Sequence, residues 1–365
     1  MTACERCLRR GALLAALGPW IARALGERRR VSNVLALGDD ELIDAICGPK
    51  RGAVDAELRG FDARAARDEA AARGLGAVCR HEDGFPPRLG EGVDAVGALW
   101  FRGDPRWFEV VAAERPVALV GARRASGYGL EVAAGLGRDL ALAGVPVVSG
   151  MALGIDSAAH EGALEAGGPT VAVLGGGVDV VYPRSRRNLH GRIAEAGLIV
   201  SEVPPGTRPQ RWSFPARNRI MAGVAAMTVV VEGTSRSGSL ITAGFAADLG
   251  RELGAVPGQV TSPLAAGPNE LIQAGACVVR AARDVLDCLY GPGGHPDDKA
   301  AMSAPPALPT ELAALLEAVE RGVDSVDALA EGPVAAAPDV IAGLSELELL
   351  GLIRRVGGGR YVRCA

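Results

Sequence analysis

The sequence predicts an α/β protein built on a doubly wound, mostly parallel β-sheet. Four apolar runs, at residues 116–121, 145–150, 170–177 and 227–233, are rich in Val, Ala and Leu and lack polar alternation, as strands buried on both faces do. Each run reaches glycine at its end, and segments with helical spacing separate the runs. Alternating strands and helices are typical of a parallel sheet. Ligands of such sheets bind beyond the carboxyl ends of the strands, so we expect the loops that follow these four strands to form one site.

The remaining elements of this region follow the same alternation. Helices are predicted at residues 128–143, 157–166, 185–196, 216–225, 239–250 and 269–274. Further strands are predicted at residues 198–202, 252–256 and 276–280, with a short strand and turn at 99–105 upstream.

Three further segments complete the expected domain organisation, with the α/β domain at residues 81–290. Residues 1–80 are rich in Ala, Arg and Leu with helical spacing and predict a small helical domain. Residues 291–308 are rich in Gly, Pro, Ala and Asp and predict a linker. Residues 309–365 predict three helices and a glycine-turned basic hairpin, which together describe a winged helix. Its third helix carries no Arg or Lys, which disfavours direct reading of duplex DNA and leaves protein docking as the alternative.

The composition predicts the cellular compartment of the protein but not its function. The formal net charge of −4 averages the whole chain over any local basic groove. Seven scattered cysteines do not form a secreted disulfide framework, so we expect a cytoplasmic protein. The apolar stretch 11–22 is too short to span a membrane and lacks a clear cleavage site. Cys4 and Cys7 form a Cys-x-x-Cys pair with no second pair at ligand spacing, so we expect no metal site.

Three glycine- and hydroxyl-rich loops indicate a phosphate site. Such loops expose backbone N–H groups, the following helix offers its positive end, and arginines add charge-assisted hydrogen bonds. Helix capping explains one such loop, but three together favour phosphate. The candidate residues in these loops are Gly121, Arg123, Arg124, Ser126, Gly175, Gly177, Ser237, Gly238 and Ser239.

Several catalytic motifs are absent. The first strand is not followed by Gly-x-Gly-x-x-Gly, and neither a Gly-Lys-Ser/Thr nor a Gly-x-Ser-x-Gly sequence occurs. We therefore expect no nicotinamide or flavin cofactor, no ATP hydrolysis and no serine hydrolysis. Asp156 and His160, four residues apart on a helix, suit an acid/base or metal pair, but helix capping by Asp156 with His160 packed behind it is the favoured interpretation.

Aromatic and basic residues are interleaved at residues 212–220. Trp212 and Phe214 precede Arg217, Asn218 and Arg219, a combination that suits stacking of bases and binding of phosphates in single-stranded nucleic acid. The aromatic side chains would also cover the sheet edge, and the two roles are compatible.

The ordered motifs resemble the DNA-processing protein A family (DprA, also called Smf). The resemblance covers roughly residues 80–290 in blocks at 120–129, 147–160, 172–183, 201–206, 214–220, 237–243, 256–258 and 269–276. It implies an extended Rossmann-like domain that binds single-stranded DNA, forms a homodimer and loads the RecA recombinase during DNA processing, transformation and recombination. It also implies a binding protein rather than an enzyme, with an N-terminal helical domain of SAM or helix-hairpin-helix type and a winged helix appended.

Carried over by position, the resemblance implies that Arg123 is the main phosphate contact, supported by Arg124 and Ser126. Arg217, Asn218 and Arg219 would line the same pocket, and residues 237–239 would add donors. Ala122 stands where Thr or Ser is commoner, which removes one potential donor.

Two alternative functions remain open. The architecture is similar to that of cytokinin-activating nucleotide phosphoribohydrolases, although the loop at 232–239 lacks their glutamate. A nucleotide-processing enzyme would release free base from a nucleoside monophosphate. A winged-helix regulator would instead give a sequence-specific footprint on duplex DNA.

Overall fold

The computed structural model describes residues 3–26, 31–47, 51–90, 96–293, 309–330, 337–349, 352–356 and 359–363. The chain folds as two compact units, Met1–His295 and Pro296–Ala365. Most of the predicted linker, residues 294–308, lies outside the described residues.

The first unit begins with five helices. They are α1 (Glu5–Gly26), α2 (Val31–Leu35), α3 (Asp39–Cys47), α4 (Arg51–Arg59) and α5 (Ala63–Ala72). Leu13, Leu17 and Ile21 lie four residues apart on one face of α1 and are all fully buried, and Leu42 joins their cluster from α3. The apolar stripe of α1 is therefore a packing face.

A nine-stranded sheet forms the centre of this unit. Its strands are β1 (Gly76–Cys79), β2 (Ala98–Gly103), β3 (Val117–Val120), β4 (Val147–Ser149), β5 (Thr170–Val173), β6 (Leu198–Ser201), β7 (Met227–Val230), β8 (Glu252–Ala255) and β9 (Cys277–Val278). They lie in the order β1-β2-β6-β5-β4-β3-β7-β8-β9. Strands β3 to β9 are parallel, whereas β2 pairs antiparallel with β6 and β1 antiparallel with β2. The prediction of a doubly wound, mostly parallel sheet is confirmed.

One strand was not predicted. Residues 76–79 lie in the stretch assigned to the helical domain, yet they form β1 at the antiparallel edge of the sheet. Four residues, Gly-Ala-Val-Cys, are too few to show a strand period, and their strand conformation depends on pairing with β2, which lies about twenty residues downstream.

Helices cover both faces of the sheet. They are α6 (Arg106–Ala113), α7 (Gly127–Leu142), α8 (Ile155–Glu165), α9 (Arg187–Ala196), α10 (Ser213–Val224), α11 (Gly238–Asp248), α12 (Ala266–Gln273) and α13 (Ala282–Tyr290). Val117 and Leu119 of β3 share a core with α7, α8 and α13, and Ala118 and Val120 share the opposite core with α10. Because both faces of β3 are buried, the run carries no polar alternation.

The strand order creates a topological switch point at β3. The chain proceeds from β3 through β4, β5 and β6 on one side, then returns to β7 on the other side of β3. The loops after β3 and β7 therefore diverge at adjacent carboxyl ends and leave a crevice between them.

The second unit contains helices α14 (Thr310–Glu320), α15 (Val326–Ala330) and α16 (Ala337–Leu349), followed by the hairpin β10 (Ile353–Val356) and β11 (Arg360–Arg363). Val340, Leu344 and Leu347 form its fully buried helix face. Three helices and a hairpin are the predicted winged-helix arrangement.

Across the described parts of both units, the helices are too short or too polar to cross a bilayer.

Candidate functional site

The crevice at the switch point contains a cavity of about 600 Å³, called here the switch-point cavity. Seven of the residues predicted from sequence line it: Gly121, Arg123, Arg217, Asn218, Ser237, Gly238 and Ser239. Its lining also includes Asp156, Tyr182, Arg211, Phe214 and Thr242. Three arginines and one aspartate give this lining a net charge of +2, so the cavity favours an anion.

The mouth of the switch-point cavity carries an aromatic pair beside an arginine. The rings of Tyr182 and Phe214 are 5.4 Å apart between centroids, and the guanidinium carbon of Arg123 is 5.2 Å from the Phe214 centroid. Tyr182 is 51% exposed although it lies against another ring. An apolar face and a cation are thus offered together to a ligand.

Arg217 forms the inner wall of the cavity. Its Nη1 donates 2.7 Å to the carbonyl of Val173, and its Nη2 lies 3.5 Å from a carboxylate oxygen of Asp156. Burial raises the pKa of Asp156, while the nearby Arg217 opposes that rise. A Cβ at Gly150 would collide with the Arg217 guanidinium, so a larger residue at position 150 would displace that guanidinium from the inner wall.

The amino end of α11 forms the opposite wall. Ser237 caps the helix and lies 2.8 Å from Ser239 between hydroxyl oxygens, and Asn218 donates 3.3 Å to the carbonyl of Gly238. Thr242 is 1% exposed, and its hydroxyl has no hydrogen-bond partner among the described residues. A helix N-terminus with an unused buried hydroxyl is suited to an oxyanion.

Ser126 and Arg124 do not line the cavity. The Ser126 hydroxyl donates 2.6 Å to Glu232, its backbone N–H donates 2.9 Å to the same carboxylate, and its oxygen caps α7 at Gly129. Ser126 therefore joins the loop after β3 to the end of the β7 segment instead of facing a ligand. Arg124 is exposed and lies outside the lining.

Arg219 is also directed away from the cavity. Its Nη2 donates 2.6 Å to both carboxylate oxygens of Glu202, and both side chains are buried. Arg217 and Arg219 lie two positions apart on α10, about 200° around the helix, so the two side chains cannot face one cavity. The sequence predicts that Arg219 lines the cavity, and this prediction is wrong because Arg219 is paired with Glu202 outside the lining.

Gly175 and Gly177 pack under another loop. A Cβ at Gly175 would lie 3.0 Å from the carbonyl of Ser213, and one at Gly177 would lie 2.8 Å from that of Pro204. The Gly177 N–H donates 2.9 Å to Thr207. These glycines permit close approach of residues 204–213, and they do not reach the switch-point cavity.

Asp156 and His160 do not act as a pair. The Nδ1 atom of His160 lies 2.7 Å from the hydroxyl of Thr170, whereas Asp156 accepts weakly from the Ala152 N–H at 3.4 Å and faces Arg217. Asp156 is the second residue of α8, after Gly154 at the N-cap. Burial lowers the pKa of His160 to about 3, which keeps the ring neutral.

Arg211, Tyr182 and Thr242 line the cavity but are not among the site residues predicted from the sequence. Arg211 is exposed, and Tyr182 approaches the cavity from the loop after β5. The Tyr-Pro at 182–183 and the arginine one residue before Trp212 are the available signals, and neither is specific without the fold.

The fold and its crevice define an α/β protein with a positively charged, aromatic-lined cavity at the switch point of its sheet. The chain belongs to the DNA recombination-mediator protein A family, a family of DNA-processing proteins, whose model matches residues 76–290. A DprA winged helix domain model matches residues 299–359.

Individual relatives agree with this membership. The chain is 38% identical to the DNA processing protein DprA of Mycobacterium tuberculosis, over 98% of this chain and 91% of that protein. It is similar to the structure of DprA from Streptococcus pneumoniae, with a TM-score of 0.61 and 30% identity over 78% of this chain and 97% of the other. A second similar structure is that of DprA from Helicobacter pylori, which is described for its single-stranded DNA binding mode. It matches with a TM-score of 0.53 and 28% identity over 59% of this chain and 95% of the other.

Proposed function

We propose that the switch-point cavity binds single-stranded DNA without catalysing a reaction on it. The observation that carries the proposal is the aromatic pair Tyr182 and Phe214 with Arg123 lying over the Phe214 ring. One phosphate would be bound by Arg123 and the amino end of α11, and a neighbouring base would stack on Tyr182.

The preference for single strands follows from the aromatic pair. A base in a duplex has its faces covered by its neighbours, so stacking on an exposed tyrosine requires an unpaired strand. Phosphate contacts carry no sequence information, so binding would be sequence-tolerant and salt-dependent. The description of the H. pylori relative supports the same ligand.

We further propose that the protein acts as a cytoplasmic homodimer that protects incoming or processed DNA and loads RecA recombinase during recombination and transformation. The family description, a recombination mediator, supports transfer of the strand to a recombinase. Light scattering of the purified chain tests the dimer, and displacement of a single-strand-binding protein by RecA on poly-dT tests the loading step.

The cavity proposal is tested by titrating labelled poly-dT and a matched duplex across a salt series. Tight single-strand binding with a negative salt slope is expected. Arg123→Ala should weaken it at least about 10-fold and reduce the slope by about 0.7, the contribution of one lost phosphate contact on a single strand.

Arg124→Ala is the matched control, because Arg124 is adjacent and exposed but does not line the cavity. Equal effects of the two substitutions, or equal affinity for duplex, would contradict the proposal. Release of free base from nucleoside monophosphates would instead identify a phosphoribohydrolase.

A further inference from the structure

Four potential metal ligands meet at the junction between α1 and the sheet. Cys4 precedes α1 and Cys7 lies in its first turn, whereas Cys79 ends β1 and His81 follows two residues later. Their ligand atoms all lie within 4.8 Å of one another. Among the described residues, this group of cysteine and histidine ligands is separate from the switch-point cavity, none of whose lining residues it shares.

The distances match a tetrahedral zinc centre. The Nδ1 atom of His81 lies 3.4 Å from the sulfur of Cys4, 3.5 Å from that of Cys7 and 3.8 Å from that of Cys79. Zinc–sulfur bonds of about 2.3 Å and zinc–nitrogen bonds of about 2.0–2.1 Å at tetrahedral angles give a sulfur–nitrogen separation of about 3.5 Å. The three sulfur–nitrogen distances are therefore close to those of a tetrahedral zinc centre.

The surroundings suit a charged thiolate centre. Three thiolates and one Zn²⁺ would carry a single negative charge, and Arg6 and Arg80 line a cavity together with Cys7. The Cys4 N–H donates 3.4 Å to the Cys79 sulfur, and the Cys79 N–H donates 2.9 Å to Glu82. Such outer hydrogen bonds orient the ligands of a metal.

We propose that Cys4, Cys7, Cys79 and His81 bind one zinc ion as a closed structural site. Three cysteines and one histidine leave no open position for a reaction, which is the composition of structural rather than catalytic zinc. The ion would fasten the first helix to the antiparallel edge of the sheet. The sequence alone predicts no metal site because only Cys4 and Cys7 are at ligand spacing, whereas the other two ligands lie more than 70 residues away.

The first experiment measures zinc in the full chain, expressed without a histidine tag and purified under reducing, chelator-free conditions. Native mass spectrometry and elemental analysis should give about one zinc per chain. Replacement by Co²⁺ should give the intense visible absorption of tetrahedral cobalt with thiolate charge-transfer bands.

Ligand variants locate the ion. Cys79→Ser should weaken zinc binding by more than about 100-fold in a chelator competition, since outer partners of zinc ligands alone contribute about 10–100-fold. His81→Ala should do the same, and because His81 is exposed, this variant keeps the proposal testable if Cys79→Ser fails to fold.

Matched controls are Cys47→Ser and Cys288→Ser, which remove free cysteines outside the group. Both should retain zinc, and zinc removal from the wild-type chain should lower its melting temperature while poly-dT binding persists. The proposal is overturned if the reduced chain takes up no zinc, if both ligand variants retain it, or if Cys4 and Cys7 are isolated as a disulfide.

Discussion

The guanidinium of Arg123 lies over the ring of Phe214, 5.2 Å from its centroid, although the two residues are more than ninety positions apart in the chain. The contact joins the exit of β3 to the start of α10. It prevents a long arginine side chain from sampling many rotamers, so the charge is held where a phosphate next to a stacked base would lie.

Removing the exposed ring should weaken DNA binding without changing its salt dependence. Stacking of one base on an aromatic side chain contributes about 1–3 kcal/mol, so we expect Tyr182→Ala to weaken poly-dT binding roughly 5- to 150-fold. The salt slope should stay constant because no charge is lost. Tyr128→Ala is the control, since Tyr128 is 52% exposed but its hydroxyl donates to Pro257 outside the cavity lining. A similar loss in both variants would argue against stacking at Tyr182.

The buried hydroxyl of Thr242 gives a second test of phosphate binding. Thr242→Val preserves side-chain shape and removes a donor that has no partner among the described residues, so stability should be unchanged or slightly higher. Affinity for poly-dT should fall about 10- to 150-fold, because a hydrogen bond to a charged group contributes about 1.5–3 kcal/mol.

Thr228→Val is the matched variant for this measurement. Its hydroxyl is also buried and lacks a partner among the described residues, but it lies in β7 outside the cavity lining. Unchanged affinity in Thr242→Val would show that no phosphate reaches the α11 terminus.

The buried ion pair between Arg219 and Glu202 should control stability and not DNA affinity. Arg219→Met leaves the Glu202 carboxylate buried without its cation, which costs about 3–5 kcal/mol in unfolding free energy. Denaturant unfolding measures this loss, and poly-dT titration at a temperature where the variant is folded should give nearly wild-type affinity. Restored stability in a double variant with Glu202→Gln would support the ion-pair explanation. Loss of DNA binding in folded Arg219→Met would instead show that Arg219 takes part in DNA binding.

His160 should make the protein less stable in mild acid. Its pKa is about 3 in the folded chain against 6.5 as the reference value, so the unfolded state takes up the proton first and stability falls as pH decreases below 6.5. Between pH 6.5 and pH 5 the resulting loss of unfolding free energy is about 2 kcal/mol. The raised pKa of Asp156 acts in the opposite direction, so wild type must be compared with His160→Asn. Equal pH slopes for the two proteins would contradict the assignment.

Local sequence predicted the elements whose pattern is complete within one segment. The apolar runs ending in glycine predict the parallel strands, and the shared edge of those strands brings Gly121, Arg123 and residues 237–239 to one cavity. That these residues contact DNA stays a prediction. Arg219 differs from Arg217 only in helical phase, which the motif does not reveal until α10 is oriented against the sheet.

Long-range contacts account for what the sequence did not reveal. Gly175 and Gly177 have the composition of a phosphate loop but are covered by residues 204–213, and only the fold shows that cover. Likewise, β1 exists because β2 pairs with it, and that pairing is what brings Cys79 and His81 to the Cys4 and Cys7 pair.

The carboxylate of Glu232 binds both the N–H and the hydroxyl of Ser126, so a single side chain fixes the loop after β3 relative to the segment that leads to α11. The two loops that would face a phosphate are thus set in place when the chain folds. Ligand binding then requires little ordering of the protein, and the conformational entropy lost on association is mainly that of the flexible strand itself. The association rate would be governed by encounter and charge, with no slow loop closure to delay it.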